Sequence, residues 1–206
     1  MRARKKKNTP ERLKKYSYLF VDKENVKETM PKGEGLEIEI GCGKGAFITQ
    51  TALSRKETAF VGIEKVSDVI AIAAVKTEEC GAENLRLLMA DATSLCDYFE
   101  EGSVDVIYLN FSDPWPPKNR AKRRLTHKNF LEIYKKILKP QGRLEFKTDN
   151  DALFDFSIPE ISENGFEITY LTRDLHSENV PNIMTEYETR FSSEGIPIKK
   201  LVAIKK

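Results

Sequence analysis

Histidine is scarce in this 206-residue chain: there are two, His127 and His176, neither in a suggestive motif, and both are expected at the surface. Cysteine is almost as rare. Cys42, Cys80 and Cys96 are widely spaced and match no metal-ligand or disulfide pattern, so no metal site is expected. Free thiols packed as small apolar groups in a reducing compartment are the simplest account. Long apolar runs are missing too. The longest spans 69–75, far too short to cross a bilayer, and Met1 is followed by charge instead of an apolar stretch. No membrane partner and no signal peptide are expected, and the protein reads as soluble and cytoplasmic. Internal repeats and a domain linker are likewise absent from the sequence, which fits one domain over 1–206 that is long enough to bury a core.

An excess of charge of either sign is lacking overall, at a formal +2, but the balance hides two basic blocks. Residues 1–15 carry eight Lys or Arg against the single acid Glu11, and 118–128 carry six against none. What remains has 20 basic and 31 acidic side chains, a net −11. Positive charge gathered in two places on an acidic body is a footprint for a polyanion. Residues 1–25 hold too few apolar side chains for a core of their own, and read as a basic N-terminal arm or a peripheral helix.

Strand and helix signals alternate along most of the chain. Strands are expected over 36–40, 58–63, 85–89, 104–109 and 143–147, and helices over 45–54, 67–79, 92–100, 126–138 and 151–162. Ser67 is the expected N-cap of its helix, and the Lys-Pro-Gln-Gly at 139–142 is the expected stop of another. The last third changes character. Two strands, 166–172 and 198–204, follow with no clear helix between them, as an antiparallel pair at a sheet edge would. The pattern predicts an α/β fold: a doubly wound, mostly parallel seven-stranded sheet with helices on both faces and an antiparallel last strand.

One segment stands out. The strand over 104–109 runs into Asn110-Phe111-Ser112-Asp113-Pro114-Trp115-Pro116-Pro117-Lys118, then Arg120, Lys122, Arg123, Arg124 and Lys128. A carboxylate, the chain's only tryptophan and a rigid turn beside six cations point to a planar substrate that carries phosphates. Lys122, Arg123 and Arg124 are the expected phosphate contacts. A second segment lies earlier, where Glu37-Ile38-Glu39-Ile40 leads into Gly41-Cys42-Gly43-Lys44-Gly45 and then a helix. Glycines let the backbone turn sharply and approach a ligand closely. Glu64 ends the second strand, where it can accept hydrogen bonds from ribose hydroxyls. Asp91 ends the third and can sit beside an adenine edge.

Dinucleotide folds usually show G-x-G-x-x-G, with a helix N-terminus aimed at a pyrophosphate. Here the spacing is G-x-G-x-G, and Glu39 lies two residues ahead of the first glycine. A carboxylate there repels pyrophosphate and suits a cation. S-adenosylmethionine, with an ammonium and a sulfonium, is favoured over a dinucleotide.

Taken with Tyr108–Pro116, Lys122-Arg123-Arg124-Leu125, Phe146-Lys147-Thr148-Asp149-Asn150 and Thr185-Glu186-Tyr187-Glu188, the stretch from Glu39 to Gly45 resembles the bacterial tRNA (guanine-N7-)-methyltransferases. The resemblance runs from about Tyr18 to Lys205. It implies a Rossmann-like fold and methylation, from S-adenosylmethionine, of a variable-loop guanine of tRNA, usually at position 46. It assigns Glu39, Glu64, Asp91 and Asp113 to the cofactor, beside the loop glycines Gly41, Gly43 and Gly45 already expected there. Asp113, Asp149, Thr185, Glu186, Tyr187 and Glu188 are assigned to the target guanine. The family commonly has a lysine four residues after the aspartate; Pro117 stands there in this chain and Lys118 follows, the expected replacement.

Guanine N7 has an in-plane lone pair and no proton, so its attack on a sulfonium methyl needs no general base. Asp113 is then an orienting and electrostatic group, and Trp115 a wall for the base or packing beneath the loop. Other readings are an exocyclic-amino RNA methyltransferase, a catalytically inactive tRNA-binding protein, and a dinucleotide oxidoreductase, the last disfavoured by Glu39. Either a monomer or a homodimer is compatible with the sequence.

Overall fold

The computed structural model describes residues 8–116 and 118–206. The lysine and arginine cluster ahead of residue 8, and Pro117, lie outside the described residues. The chain divides into two compact units, Met1–Asp91 and Ala92–Lys206.

In the first unit β1 (Leu36–Ile40), β2 (Ala59–Ile63) and β3 (Leu85–Leu88) are parallel, in the order β3-β2-β1. All five residues of β2 are buried, as a strand covered on both faces requires. The crossovers run through helices between the strands. Counting from the N-terminus, α1 is Thr9–Lys15, α2 Val26–Thr29, α3 Ala46–Ser54 and α4 Ser67–Cys80. Val66, not Ser67, holds the N-cap of α4, and no side chain caps it; Gly81, in left-handed backbone, ends it. Of the two expectations for residues 1–25, the described part is the peripheral helix. Tyr16 and Leu19 bury against Ile70, Ala73, Ala74 and Leu87. Thr9 donates to Asp68, and the Val21 amide donates to the Leu87 carbonyl.

The second unit holds β4 (Val104–Asn110), α5 (Lys128–Ile137), β5 (Leu138–Thr148), α6 (Asp151–Glu163), β6 (Phe166–Thr172), α7 (Glu186–Ser193) and β7 (Lys199–Lys205). Its strand order is β4-β5-β7-β6, and β7 is antiparallel to both neighbours. The seven strands thus follow the doubly wound order with a reversed last strand. The 92–100 helix is shorter than expected, a 3-10 stretch over Ala92–Asp97.

The start of β5 and the segment ahead of β7 differ from expectation for visible reasons. The 139–142 stretch does stop α5, but it belongs to β5, which begins at Leu138 and bulges against β4 between Val104 and Val106. A Cβ on Gly142 would lie 2.9 Å from the Lys139 carbonyl, so this bend needs glycine. The stretch between β6 and β7 does contain a helix, α7.

Candidate active site

In the first unit the registers align Ile40 with Ile63, and Ile63 with Leu88. The glycine loop, Glu64 and Asp91 therefore follow the carboxyl ends of three adjacent parallel strands, where ligands bind in open α/β sheets. The loop is tied down by the Gly41 and Cys42 amides, which both donate to the Ile63 carbonyl at 2.8 and 2.9 Å. Gly41, Gly43 and Gly45 all have left-handed φ, at 79°, 58° and 77°. Their surroundings differ. A Cβ on Gly45 would lie 2.9 Å from the Ala73 Cβ, so this glycine lets α3 pack on α4. A Cβ on Gly41 or Gly43 would meet nothing within 4 Å, so both present bare backbone to whatever binds.

Glu39 is 2% exposed, and Glu64 is oriented by the Val66 amide, which donates to its Oε1 at 2.9 Å. Burial, and then the carboxylates of Glu39 and Glu64, push the Cys42 thiol well above its ordinary range. The thiol thus registers concentrated negative charge beside the glycine turn. Asp91 is exposed, with Lys65 Nζ at 3.8 Å. Bare backbone beside buried and half-buried carboxylates fits a cationic, ribose-bearing ligand and is unsuited to a pyrophosphate.

In the second unit Asn110 and Lys147 are in register on parallel β4 and β5, so Asp113 and Asp149 follow adjacent strand ends. The Phe111 amide donates to the Lys147 carbonyl at 2.9 Å, and Asp113 is exposed in the loop beyond. Beside it the Ser112 Oγ is buried and has no hydrogen-bond partner among the described residues, a hydroxyl that no sequence motif marks. Asp149 does not cap α6: Asn150 does, its Oδ1 accepting from the Leu153 amide at 2.8 Å. The Asp149 backbone is held by Lys199 Nζ, which donates to its carbonyl at 2.9 Å. Lys118 opens a 3-10 turn over Lys118–Arg123. Lys122 and Arg123 are exposed, and the Arg123 guanidinium lies 4.8 Å from the Trp115 ring centre.

Three expectations need correction. Arg124 is buried, at 8% exposure, and donates to the Pro114 and Trp115 carbonyls, so it is not laid out for phosphate. His127 is also buried. It caps α5 by accepting from the Asn129 amide through Nδ1; His176 is exposed, as expected, with Nε2 3.2 Å from Glu188.

The third concerns Thr185–Glu188, which starts α7 and splits by exposure. Thr185 and Glu188 form a reciprocal capping box and are buried, whereas Tyr187 is 60% exposed and Glu186 is exposed. Glu188, at 0% exposure, also accepts from Lys147 Nζ at 2.9 Å and from Asn182. Its carboxylate is thus held by partners inside the protein. Lys147, missed as a structural residue, donates further to Asn182 Oδ1 and the Ile183 carbonyl. Tyr187, Phe191 and Phe111 stack mutually at 6.2–6.3 Å, fixing α7 against the exit of β4. The T-x-x-E spacing was the readable signal for this helix.

A doubly wound sheet, a bare glycine turn and carboxylates at successive strand ends define a Rossmann-like methyltransferase. The family described as "Putative methyltransferase" matches residues 34–201. Solved structures share the fold at low identity. One is an antibiotic-related methyltransferase (TM-score 0.65, 19% identical, covering 90% of this chain and 94% of that one). Another is a SAM-dependent methyltransferase from Aquifex aeolicus (TM-score 0.61, 14% identical, covering 98% and 100%).

Sequence relatives are far nearer. A tRNA (guanine-N(7)-)-methyltransferase of Streptococcus agalactiae is 43% identical, covering 98% of this chain and 99% of the relative. One of Bacillus cytotoxicus is 42% identical, covering 98% and 96%. The chain belongs to the tRNA (guanine-N(7)-)-methyltransferase family.

Proposed function

We propose that this protein transfers the methyl group of S-adenosylmethionine to N7 of the variable-loop guanine at position 46 of tRNA, in the cytoplasm. The observation that carries the reading is identity of 42–43% across 98% of the chain with proteins named for guanine-N7 methylation of tRNA. When bound, S-adenosylmethionine supplies an electrophilic methyl on a sulfonium. Glu39 would hold its ammonium by charge, Gly41 and Gly43 would let the backbone come close, and Gly45 keeps the loop seated on α4. Glu64 would accept from ribose hydroxyls, and Asp91 would take the adenine edge.

Since N7 has no proton to lose, the residues position and stabilise. Asp113 accepts from guanine N1–H and N2–H, orients the base, and counters the positive charge that develops on it. Asp149, anchored by Lys199, and the exposed Glu186 and Tyr187 complete the base site. Lys122 and Arg123 contact phosphates, a sequence-independent attraction that salt weakens.

The test is methyl transfer from labelled S-adenosylmethionine to an unmodified tRNA transcript, followed by borohydride–aniline cleavage. Scission in the variable loop supports reaction, atom and substrate together. Label without scission would move the reading to amino methylation. Bound tRNA without label would leave a binding protein.

A further inference from the structure

The run 122–124 looks uniform in sequence, but its last member is built into the protein. Arg124 Nε donates to the Pro114 carbonyl at 3.0 Å and Nη2 to the Trp115 carbonyl at 3.1 Å. Its guanidinium lies 4.3 Å from the Phe156 ring centre on α6, and the His127 ring stacks on Phe156 at 6.4 Å. Both accepting carbonyls belong to the two residues that follow Asp113. The loop they occupy is an unusual one. Phe111 and Trp115 have φ of 51° and 41°, left-handed backbone that bulky residues rarely adopt. Such backbone persists only where its surroundings over-determine it. On one side of Asp113 the Phe111 amide is fixed to Lys147; on the other, Arg124 holds two consecutive carbonyls. A guanidinium is suited to that task, since its donors form a rigid planar fork whose face also stacks on an aromatic ring. A lysine ammonium has neither property.

We propose that Arg124 is a positioning residue for methyl transfer: it clamps the Pro114–Trp115 carbonyls to α6 and so holds Asp113 in reactive geometry, without contacting tRNA. The proposal rests on the role given to Asp113 under the proposed function.

Trp115 is the chain's one tryptophan, so its fluorescence reports on this loop in the free protein. The full chain carrying Arg124→Lys is compared with wild type and with Arg123→Gln. Phe156→Leu, which leaves every charge in place, serves if Arg124→Lys does not fold. Arg124→Lys is expected to make Trp115 more open to acrylamide quenching and to lower kcat by roughly 10- to 100-fold, the scale of a misplaced catalytic group. Its tRNA affinity and the salt dependence of that affinity stay as in wild type. Arg123→Gln is expected to flatten the slope of log K against log salt by about 1, one phosphate contact. Phe156→Leu shifts quenching and kcat in the same direction as Arg124→Lys. A flattened salt slope in Arg124→Lys would make it a phosphate contact and overturn the proposal. Unchanged quenching, or changed quenching with wild-type kcat, would overturn it as well. Failure of the proposed function shows separately, as a wild-type protein that methylates no tRNA. The quenching comparison needs no substrate and still reads the clamp.

Discussion

Asp113 and Cys42 illustrate how differently two residues can be legible. Asp113 was readable because an acid just after an apolar strand and before Pro-Trp-Pro has little to do in a core, and the structure leaves it exposed in that loop. Asp113→Ala is expected to lower kcat by about 100-fold or more while S-adenosylmethionine binding stays measurable by calorimetry. Wild-type turnover in that variant would remove the assigned role. Cys42 carried no chemical signal beyond its place between two glycines. Its thiol is buried and pushed well above the ordinary range, first by desolvation and then by Glu39 and Glu64. Cys80 and Cys96 are exposed. A disulfide-exchange reagent at neutral pH should therefore titrate two thiols quickly and the third only on unfolding. Three fast thiols would contradict the packing of the glycine turn.

At the scale of elements, α7 is a helix that the sequence pattern does not show, and its composition explains why. EYETRFSS has little apolar periodicity, so the helix is held by its cap and by Glu188 rather than by a broad hydrophobic face. Thr185→Ala should cost about 1 kcal/mol in urea unfolding, as the loss of an N-cap does. Glu188→Ala should cost more, about 3–5 kcal/mol, because it leaves the Lys147 ammonium, whose side chain is 4% exposed, without its buried counter-charge. If both variants unfolded like wild type while losing activity, Thr185 and Glu188 would be returned to the base-binding role that the resemblance assigned them. The bulged start of β5 was unreadable for a related reason. Lys-Pro-Gln-Gly looks like a stop wherever it stands, and only the neighbouring β4 shows that the same four residues also begin a strand.

Over the whole molecule, charge organisation sets behaviour toward a polyanion. The net −11 outside the two basic blocks repels nucleic acid, so affinity should depend on the blocks and fall steeply with salt. Reversing Lys122 and Arg123 together should weaken tRNA binding several-fold at physiological salt and flatten the salt slope by about 2, with S-adenosylmethionine affinity unchanged. Equal losses for both ligands would indicate unfolding instead.

The alternation of strands and helices, the reversed final strand, the glycine turn with its carboxylates, and the acid of the Asp-Pro-Trp loop are all legible along the chain. Each is written in local periodicity or in neighbouring residue types, which need no distant partner to be read. Which charged residues stay available depends on how the chain packs. Arg124, Lys147 and Glu188 carry the same charges in the sequence as Arg123, Lys122 and Glu186, yet the first three are buried and the last three exposed. What separates them is the chain folded around them: the Pro114 and Trp115 carbonyls for Arg124, and the 182–188 segment packed over the end of β5 for Lys147 and Glu188. An ionic side chain is held inside only where distant groups supply its hydrogen bonds, and no local pattern records where those groups arrive.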